Sequence, residues 1–297
     1  MRSTKCAALG SGPSAAGSCS RVTHSRTQIH ELLDEHDLKA RRERGQNFVA
    51  DPNTVRRIAE LSQVGSGDLV IEVGPGLGSL TLALVETGAT VVAVEIDTGL
   101  AEVAREVLGE SATVIVGDAL NIDWGQLISE HSVDLDGGVH VVANLPYNVG
   151  TTIVLDLLAE VPQIESITVL VQNEVAQRFA AAPGSKIYGI PSVLSALHAT
   201  AEVVAMVPPT VFVPKPKVDS AVVRFVRHHQ NPPVSHEQLG RVVKAGFGQR
   251  RKMLRRSLSE LLTEEQIAAA GVDPTARAEQ LDTDQWIDLA KLLVSSG

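Results

Sequence analysis

The sequence predicts a doubly wound, mainly parallel α/β sheet with an antiparallel edge pair, followed by a small all-helical C-terminal domain. Short Val- and Ile-rich runs alternate with amphipathic stretches, as strands do when crossover helices bury both their faces. Two extended runs, ATAEVVAMV and VDSAVVRFV, flank a proline-rich turn and read as an antiparallel pair at the sheet edge. Beyond the linker HHQNPP, from about Ser235 onward, the pattern is helical throughout.

Residues 1–25 are rich in Ser, Gly and Ala without periodicity and read as a disordered tail. That tail holds both cysteines, Cys6 and Cys19, so the folded part has neither a disulfide framework nor a thiolate metal site to draw on. No metal centre is expected. Residues 26–229 form the first expected domain and 230–297 the second, helical one. Asp51 and Pro52 read as an N-cap and first helical position ahead of VRRIAELSQV. Strands follow at DLVIEV, TVVAVE, TVIVGD, HVVAN and ITVLVQ, with helices at SLTLALVET, GLAEVAREVL and TTIVLDLLAE between them.

The chain has 297 residues, 44% of them hydrophobic, enough for one large and one small core. Its formal charge, 26 minus 35 or −9, argues against a protein that coats nucleic acid nonspecifically. The distribution points elsewhere. From Arg241 to Arg256 every charged residue is basic; Lys215, Lys217, Arg224 and Arg227 precede that run, and Lys39, Arg41, Arg42 and Arg44 lie near the start. One face is therefore expected to meet a polyanion. Within the run, RRKMLRR reads as a helix, Arg250 to Arg256. That places Arg251 and Arg255 one turn apart, Lys252 and Arg256 likewise, with Met253, Leu254 and Leu258 inward. These cations, Arg250, Arg251, Lys252, Arg255 and Arg256, are the candidate contacts to RNA phosphate and shape. No apolar run approaches the roughly 18 residues of a membrane span and no secretory apolar segment is present. A cytoplasmic protein without a membrane partner is expected.

Four successive strand tips carry chemistry. VIEVGPGLGSL puts Gly74, Gly76 and Gly78 between the first of these strands and a helix, where backbone can approach a ligand and free N–H groups point outward. Ser79 stands where the dinucleotide fingerprint wants a small third glycine-like residue, which disfavours an NAD-dependent oxidoreductase. Glu95 ends the next strand, placed to accept both ribose hydroxyls of an adenosine; Asp97 is its rival but reads as the N-cap of the following helix. Asp118 follows the third strand, placed to accept from an adenine amine, although Gly-Asp in isolation is an ordinary turn. Gly, Glu and Asp at three tips in a row point to an adenosine-containing cofactor.

The fourth tip is Asn144-Leu145-Pro146-Tyr147. Asn-x-Pro alone makes a good turn and Tyr a good core residue. At the carboxyl end of a parallel strand, however, it faces the same crevice as the other three tips. The exocyclic amine of adenine is a poor nucleophile because its lone pair is delocalised, so orientation has to supply the catalysis. The Asn144 side-chain carbonyl can accept one amine N–H, a backbone carbonyl stiffened by Pro146 the other, and Tyr147 can stack on the base.

NLPY resembles the Asn/Asp-x-Pro-Tyr tip of class I S-adenosylmethionine methyltransferases, Rossmann-like enzymes that modify adenine. RERGQNFVADPNTV, VIEVGPGLGSLTLAL, VFVPKPKVDSAVVRF, FGQRRKMLRRSL and GVDPTARAEQLDTDQW are similar to the small-subunit (16S) branch of the ribosomal RNA adenine dimethyltransferases, the kasugamycin-sensitivity methylases, over about Arg44 to Trp286. The resemblance implies S-adenosylmethionine as cofactor, with Asn47 and the backbone of Val49 closing over it. Val49 departs from the usual Leu. It further implies Gly74 against the methionine part, Gly76 at the cofactor, Glu95 on the ribose, Asp118 on the adenine, and Asn144 touching both cofactor and target. Leu145, Pro146 and Tyr147 complete the catalytic tip, and Phe212 is similar to the aromatic opposite Tyr147 across the target base, although composition alone makes it a core residue. Family members dimethylate N6 of two adjacent adenines near the 3′ end of 16S rRNA in a late small-subunit (30S) assembly particle, and a monomer is expected. The alternatives are a 23S rRNA adenine methylase and a noncatalytic rRNA-binding assembly or transcription factor on the same fold.

Overall fold

A computed structural model describes residues 24–40, 45–133 and 135–293. Residues 1–23 of the expected tail, with both cysteines, and the basic residues Arg41, Arg42 and Arg44 lie outside the described residues; the last two of that tail are placed, His24 buried and Ser25 capping α1 by accepting from Gln28 N–H.

In chain order come helix α1 (Arg26–Glu35), strand β1 (Phe48–Val49), α2 (Pro52–Ser62), β2 (Leu69–Val73), α3 (Ser79–Val85), β3 (Thr90–Glu95), α4 (Thr98–Leu108) and β4 (Thr113–Val116). Next are α5 (Trp124–His131), β5 (Val139–Asn144), α6 (Gly150–Glu160), β6 (Ile164–Gln172), α7 (Asn173–Phe179), α8 (Ile190–Ala196), β7 (Ala199–Val207), β8 (Phe212–Val213) and β9 (Ser220–Arg227). The chain closes with α9 (His236–Gly248), α10 (Leu254–Ser257), α11 (Glu264–Ala269) and α12 (Thr283–Lys291). The capping expected from sequence is present: the Asp51 carboxylate accepts from Thr54 N–H ahead of Pro52, and Asp97 accepts from Gly99 and Leu100 N–H at the start of α4.

Seven strands form one sheet in the order β4-β3-β2-β5-β6-β9-β7. β4, β3, β2, β5 and β6 run parallel, while β9 is antiparallel to both β6 and β7, the edge pair expected from sequence. Strand period 2 decides which residues go to which face. Leu69, Ile71 and Val73 of β2 pack with Ile153, Val154 and Leu157 of α6 and Leu127 of α5. Val70 packs on the opposite face with Val55 and Ile58 of α2 and Leu80 and Leu84 of α3. Glu72 shares that second face and is 1% exposed, a carboxylate where the alternation calls for an apolar side chain.

The C-terminal helices close around Trp286, which is fully buried and lies so near Gly246 that a side chain there would collide with the indole. This core is not self-contained. Tyr188, Val193, Leu194 and Leu197, from α8 and its flanks, belong to it together with Leu239, Val242 and Val243 of α9.

The expected helix over Arg250 to Arg256 forms only at its end, where Leu254, Arg255 and Arg256 open the short α10; residues 250–253 are not helical. α9 stops at Gly248, the chain turns through a Lys252 N–H to Gln249 carbonyl bond of 2.8 Å, and Met253 is extended. Met253 bridges to Arg277, and Leu254 N–H donates to the Ala276 carbonyl at 2.8 Å. The two glycines ending α9 weaken helical continuation, and pairing with 276–277 takes the backbone groups a helix would have used. Leu254 and Leu258 are buried as expected, but Met253, expected inward, is 42% exposed.

Candidate active site

A cavity of about 510 Å³ opens at the carboxyl ends of β2, β3, β4 and β5, large enough for a cofactor-sized molecule. Each of the four strand tips contributes. Gly74, Gly76 and Gly78 have φ of 72°, 57° and 81°, the left-handed region that disfavours any side chain. A Cβ at Gly76 would fall 2.8 Å from the Phe48 ring, whereas one at Gly74 would meet nothing within 4 Å. Phe48 thus seals one flank of the loop and Gly74 leaves its own flank to the cavity.

Glu95 is 4% exposed, and burial pushes its carboxyl above the usual carboxylate range. Its Oε2 accepts from Gly76 N–H at 3.0 Å and its Oε1 from Asp97 N–H at 3.0 Å. A carboxylate offers about four lone-pair directions, so these bonds leave acceptor capacity for a ligand hydroxyl. Asp118 lines the same cavity, its Oδ1 accepting from Leu120 N–H at 3.0 Å and its Oδ2 from the Asn121 amide at 2.8 Å. The turn that Gly-Asp favours is therefore present, with the carboxylate still at the cavity wall. Ile96, 59% exposed, and Leu120, 43% exposed, add apolar surface beside these two acids.

At the fourth tip the Asn144 amide donates to the Asn47 backbone carbonyl at 2.8 Å, and the Asn47 amide donates to the Gly45 carbonyl at 3.0 Å. A backbone carbonyl only accepts, so the flip of Asn144 is settled: Nδ2 faces Asn47, and Oδ1 is left to accept. Asn47 and Val49 both line the cavity, and Val49 pairs with Phe212 where β1 meets β8. Pro146 also lines it, and its carbonyl accepts from Gly150 N–H at 3.0 Å, pinning the tip to the start of α6; the Leu145 carbonyl takes no part in that bond. The Leu145 side chain is buried.

Tyr147 is half-buried, outside the cavity lining, and its hydroxyl is 2.8 Å from Ser220 Oγ. Ser220, from the VDSAVV stretch, is fully buried, so the phenol is held by the first residue of β9. Phe212 is fully buried among Val49, Val70, Leu80 and Val222 and does not line the cavity. Its side chain sits where composition alone places it, packed into the core.

Glu72 is the cavity residue that sequence reasoning missed. Its Oε2 has no hydrogen-bond partner among the described residues. Burial pushes its carboxyl up to about 8, opposed by the Thr81 hydroxyl and reinforced by the negative charge of Glu95. The available signal was an acid inside the apolar run LVIEV.

The five candidate cations are not brought together on one helix. Arg250 Nε donates to Glu279 at 2.7 Å and its second nitrogen to the Lys186 carbonyl at 2.7 Å. Arg255 lies 3.4 Å from Glu264. Arg251, Lys252 and Arg256 are exposed and form no ion pair among the described residues.

Comparison with known proteins places this arrangement. The pattern of the ribosomal RNA adenine dimethylase family matches residues 37–295. A ribosomal RNA small subunit methyltransferase A from Cutibacterium acnes is 47% identical over 289 residues, covering 91% of this chain and 94% of the relative. The crystal structure of the 23S rRNA methyltransferase ErmE superposes with a TM-score of 0.62 at 28% identity, covering 83% of this chain and 99% of ErmE. A dimethyladenosine transferase from Plasmodium falciparum gives 0.66 at 20% identity, covering 80% and 94%, a likeness of fold. The chain therefore belongs to the ribosomal RNA adenine dimethylase family and is an S-adenosylmethionine-dependent methyltransferase of ribosomal RNA.

Proposed function

We propose that the chain dimethylates N6 of two adjacent adenines near the 3′ end of 16S rRNA, acting as a monomer on a small-subunit (30S) assembly particle in the cytoplasm. The observation that carries the chemistry is the bond from Asn144 Nδ2 to the Asn47 carbonyl, which reserves Asn144 Oδ1 for a donor such as the adenine amine. The Leu145 carbonyl, stiffened by Pro146, is the second acceptor. Two acceptors on the two amine hydrogens turn the nitrogen lone pair out of the ring plane, and no strong base is required. Tyr147, steadied by Ser220, supplies an aromatic surface next to the tip. Phe212, packed in the core beside Val49, backs the wall of the site without stacking on the base, and Tyr147 is the aromatic at the tip.

The cavity fits S-adenosylmethionine, which supplies an electrophilic methyl group when bound. Glu95 has lone pairs for its ribose and Asp118 for its adenine, while Asn47 and Val49 form the wall beside Asn144. Gly74 leaves the wall open where a side chain would obstruct. RNA docking is assigned to Arg251, Lys252 and Arg256, with Arg250 and Arg255 holding the helical domain that presents them. Among the described residues no helix is long and apolar enough to cross a membrane.

The deciding experiment incubates the protein with S-adenosylmethionine and unmodified small subunits, then digests the RNA and identifies modified nucleosides by mass spectrometry. N6,N6-dimethyladenosine at two adjacent 3′-terminal positions is expected. Modification of large-subunit RNA instead would favour the 23S reading, for which the similarity to ErmE speaks. RNA binding without any methylation would favour a noncatalytic assembly factor.

A further inference from the structure

Helix α1 bridges the two halves of the site. At its start the His24 ring is 2.9 Å from the Leu77 carbonyl and His24 N–H is 3.4 Å from Ser79 Oγ, both acceptors in the glycine turn. Two residues on, the Arg26 guanidinium donates to the Thr210 carbonyl at 2.8 Å and to the Phe212 carbonyl at 3.2 Å. The buried face repeats this bridging: Ile29 and Leu33 share a cluster with Leu77 of the glycine turn and with Phe48 and Val213 of the β1–β8 pair.

Apart from the buried side chains of Phe212 and Val213, the segment gripped by Arg26 has few backbone ties. Pro208 and Pro209 lack N–H groups, and β8 is two residues long and pairs, among the described residues, with β1 alone. Ala50 N–H donating to the Val211 carbonyl at 2.7 Å is a further tie. A guanidinium on two carbonyls is stronger than a neutral pair, and its fork fixes both oxygens in one plane.

We propose that Arg26 is a positioning residue for methyl transfer: through its grip on the Thr210 and Phe212 carbonyls, α1 holds the 209–214 segment in register with the cofactor cavity. Arg26 lies outside the cavity lining, so it acts through that segment and not by contact with the cofactor. The proposal rests on the reading of the cavity as the methyl-transfer site and adds a demand on the chain that delivers the target base to it.

Arg26→Met keeps the aliphatic stem and removes the donors; Arg26→Lys restores a cation with poorer geometry. Hydrogen–deuterium exchange of the full-length protein is expected to show at least threefold faster exchange in the peptide spanning 208–214 for Arg26→Met, with β2 and β5 peptides unchanged. Wild-type exchange in that peptide would overturn the proposal whatever the RNA substrate. On unmodified small subunits, kcat is expected to fall five- to twentyfold in Arg26→Met and to recover in part in Arg26→Lys. The S-adenosylmethionine Kd should stay within twofold. A loosened segment with unchanged kcat, or a cofactor Kd that worsens as much as kcat falls, would also overturn it. Absence of turnover by the wild type would count against the substrate reading, leaving the exchange result to decide the role of Arg26.

Discussion

Asn144 Nδ2 lies 2.8 Å from the Asn47 carbonyl, joining the catalytic tip to the segment that walls the cofactor cavity. One hydrogen bond thus sets the orientation of the residue proposed above to orient the substrate. Asn144→Ala is expected to abolish methyl transfer while small-subunit affinity changes by less than a few-fold. Positioning supplies up to about 7–11 kcal/mol in such reactions, whereas a single amide adds little to a large polyanionic interface. Asn144→Asp, nearly isosteric, is expected to be as inactive, because a carboxylate oxygen would face the Asn47 carbonyl. Single-turnover kinetics with a parallel binding assay checks both, and near-normal turnover in either would remove the proposed mechanism.

Glu95→Ala is expected to weaken S-adenosylmethionine binding by roughly 1.5 to 3 kcal/mol, about ten- to a hundredfold, measured by calorimetry. Because Glu95 also receives the Gly76 and Asp97 N–H groups, the apo protein should melt lower as well. Unchanged cofactor affinity would mean that the ribose is held elsewhere.

Glu72 makes apo stability depend on pH. Its folded carboxyl, pushed up to about 8, keeps its proton through a range in which the unfolded chain has lost it. A raised acid stabilises most below the unfolded value near 4.5, and that contribution fades as pH rises through about 8. Within this window the slope is of order 1.4 kcal/mol per pH unit for the one proton. Glu72→Gln should therefore flatten the Tm-versus-pH curve of the apo protein between these limits and melt higher at pH 8. Parallel curves for the two proteins would show that Glu72 ionises normally.

Replacing Arg251 and Arg256 by Gln should weaken small-subunit binding and flatten the log K versus log salt slope by roughly 0.7 to 0.9 per lost contact. S-adenosylmethionine affinity should not change. Arg250→Gln is expected to behave differently and lower Tm, since it strands Glu279 and the Lys186 carbonyl. A double variant with the wild-type salt slope would place the RNA-docking surface elsewhere.

The parallel sheet, its edge pair and the cavity-lining tips were legible because they depend on local signals: apolar runs, glycines at turns, and acids or amides where strands end. What escaped depends on contacts distant in sequence. The run from Arg250 to Arg256 has a helical pattern, yet Leu254 N–H pairs with Ala276 and the chain leaves the helix axis. The ionisation of Glu72 depends on α3 covering it, and no neighbour of Arg26 in sequence hints at carbonyls some 184 positions away. Phe212 shows the limit from the other side: its role was inferred from likeness, and its packing follows from composition.

The sharing of α8 between the strands that precede β7 and the helical core constrains how such chains can be recombined. A graft that exchanged everything after the 228–234 linker would leave Val193, Leu194 and Leu197 facing foreign side chains, and misfit there exposes or crowds three buried aliphatics at once. The matching segment cannot travel with the graft, because β7 and β9, embedded in the sheet, lie between it and the linker. Clean exchange at the linker is therefore closed to this architecture, and substitutions in the helical core and in α8 have to be matched to one another.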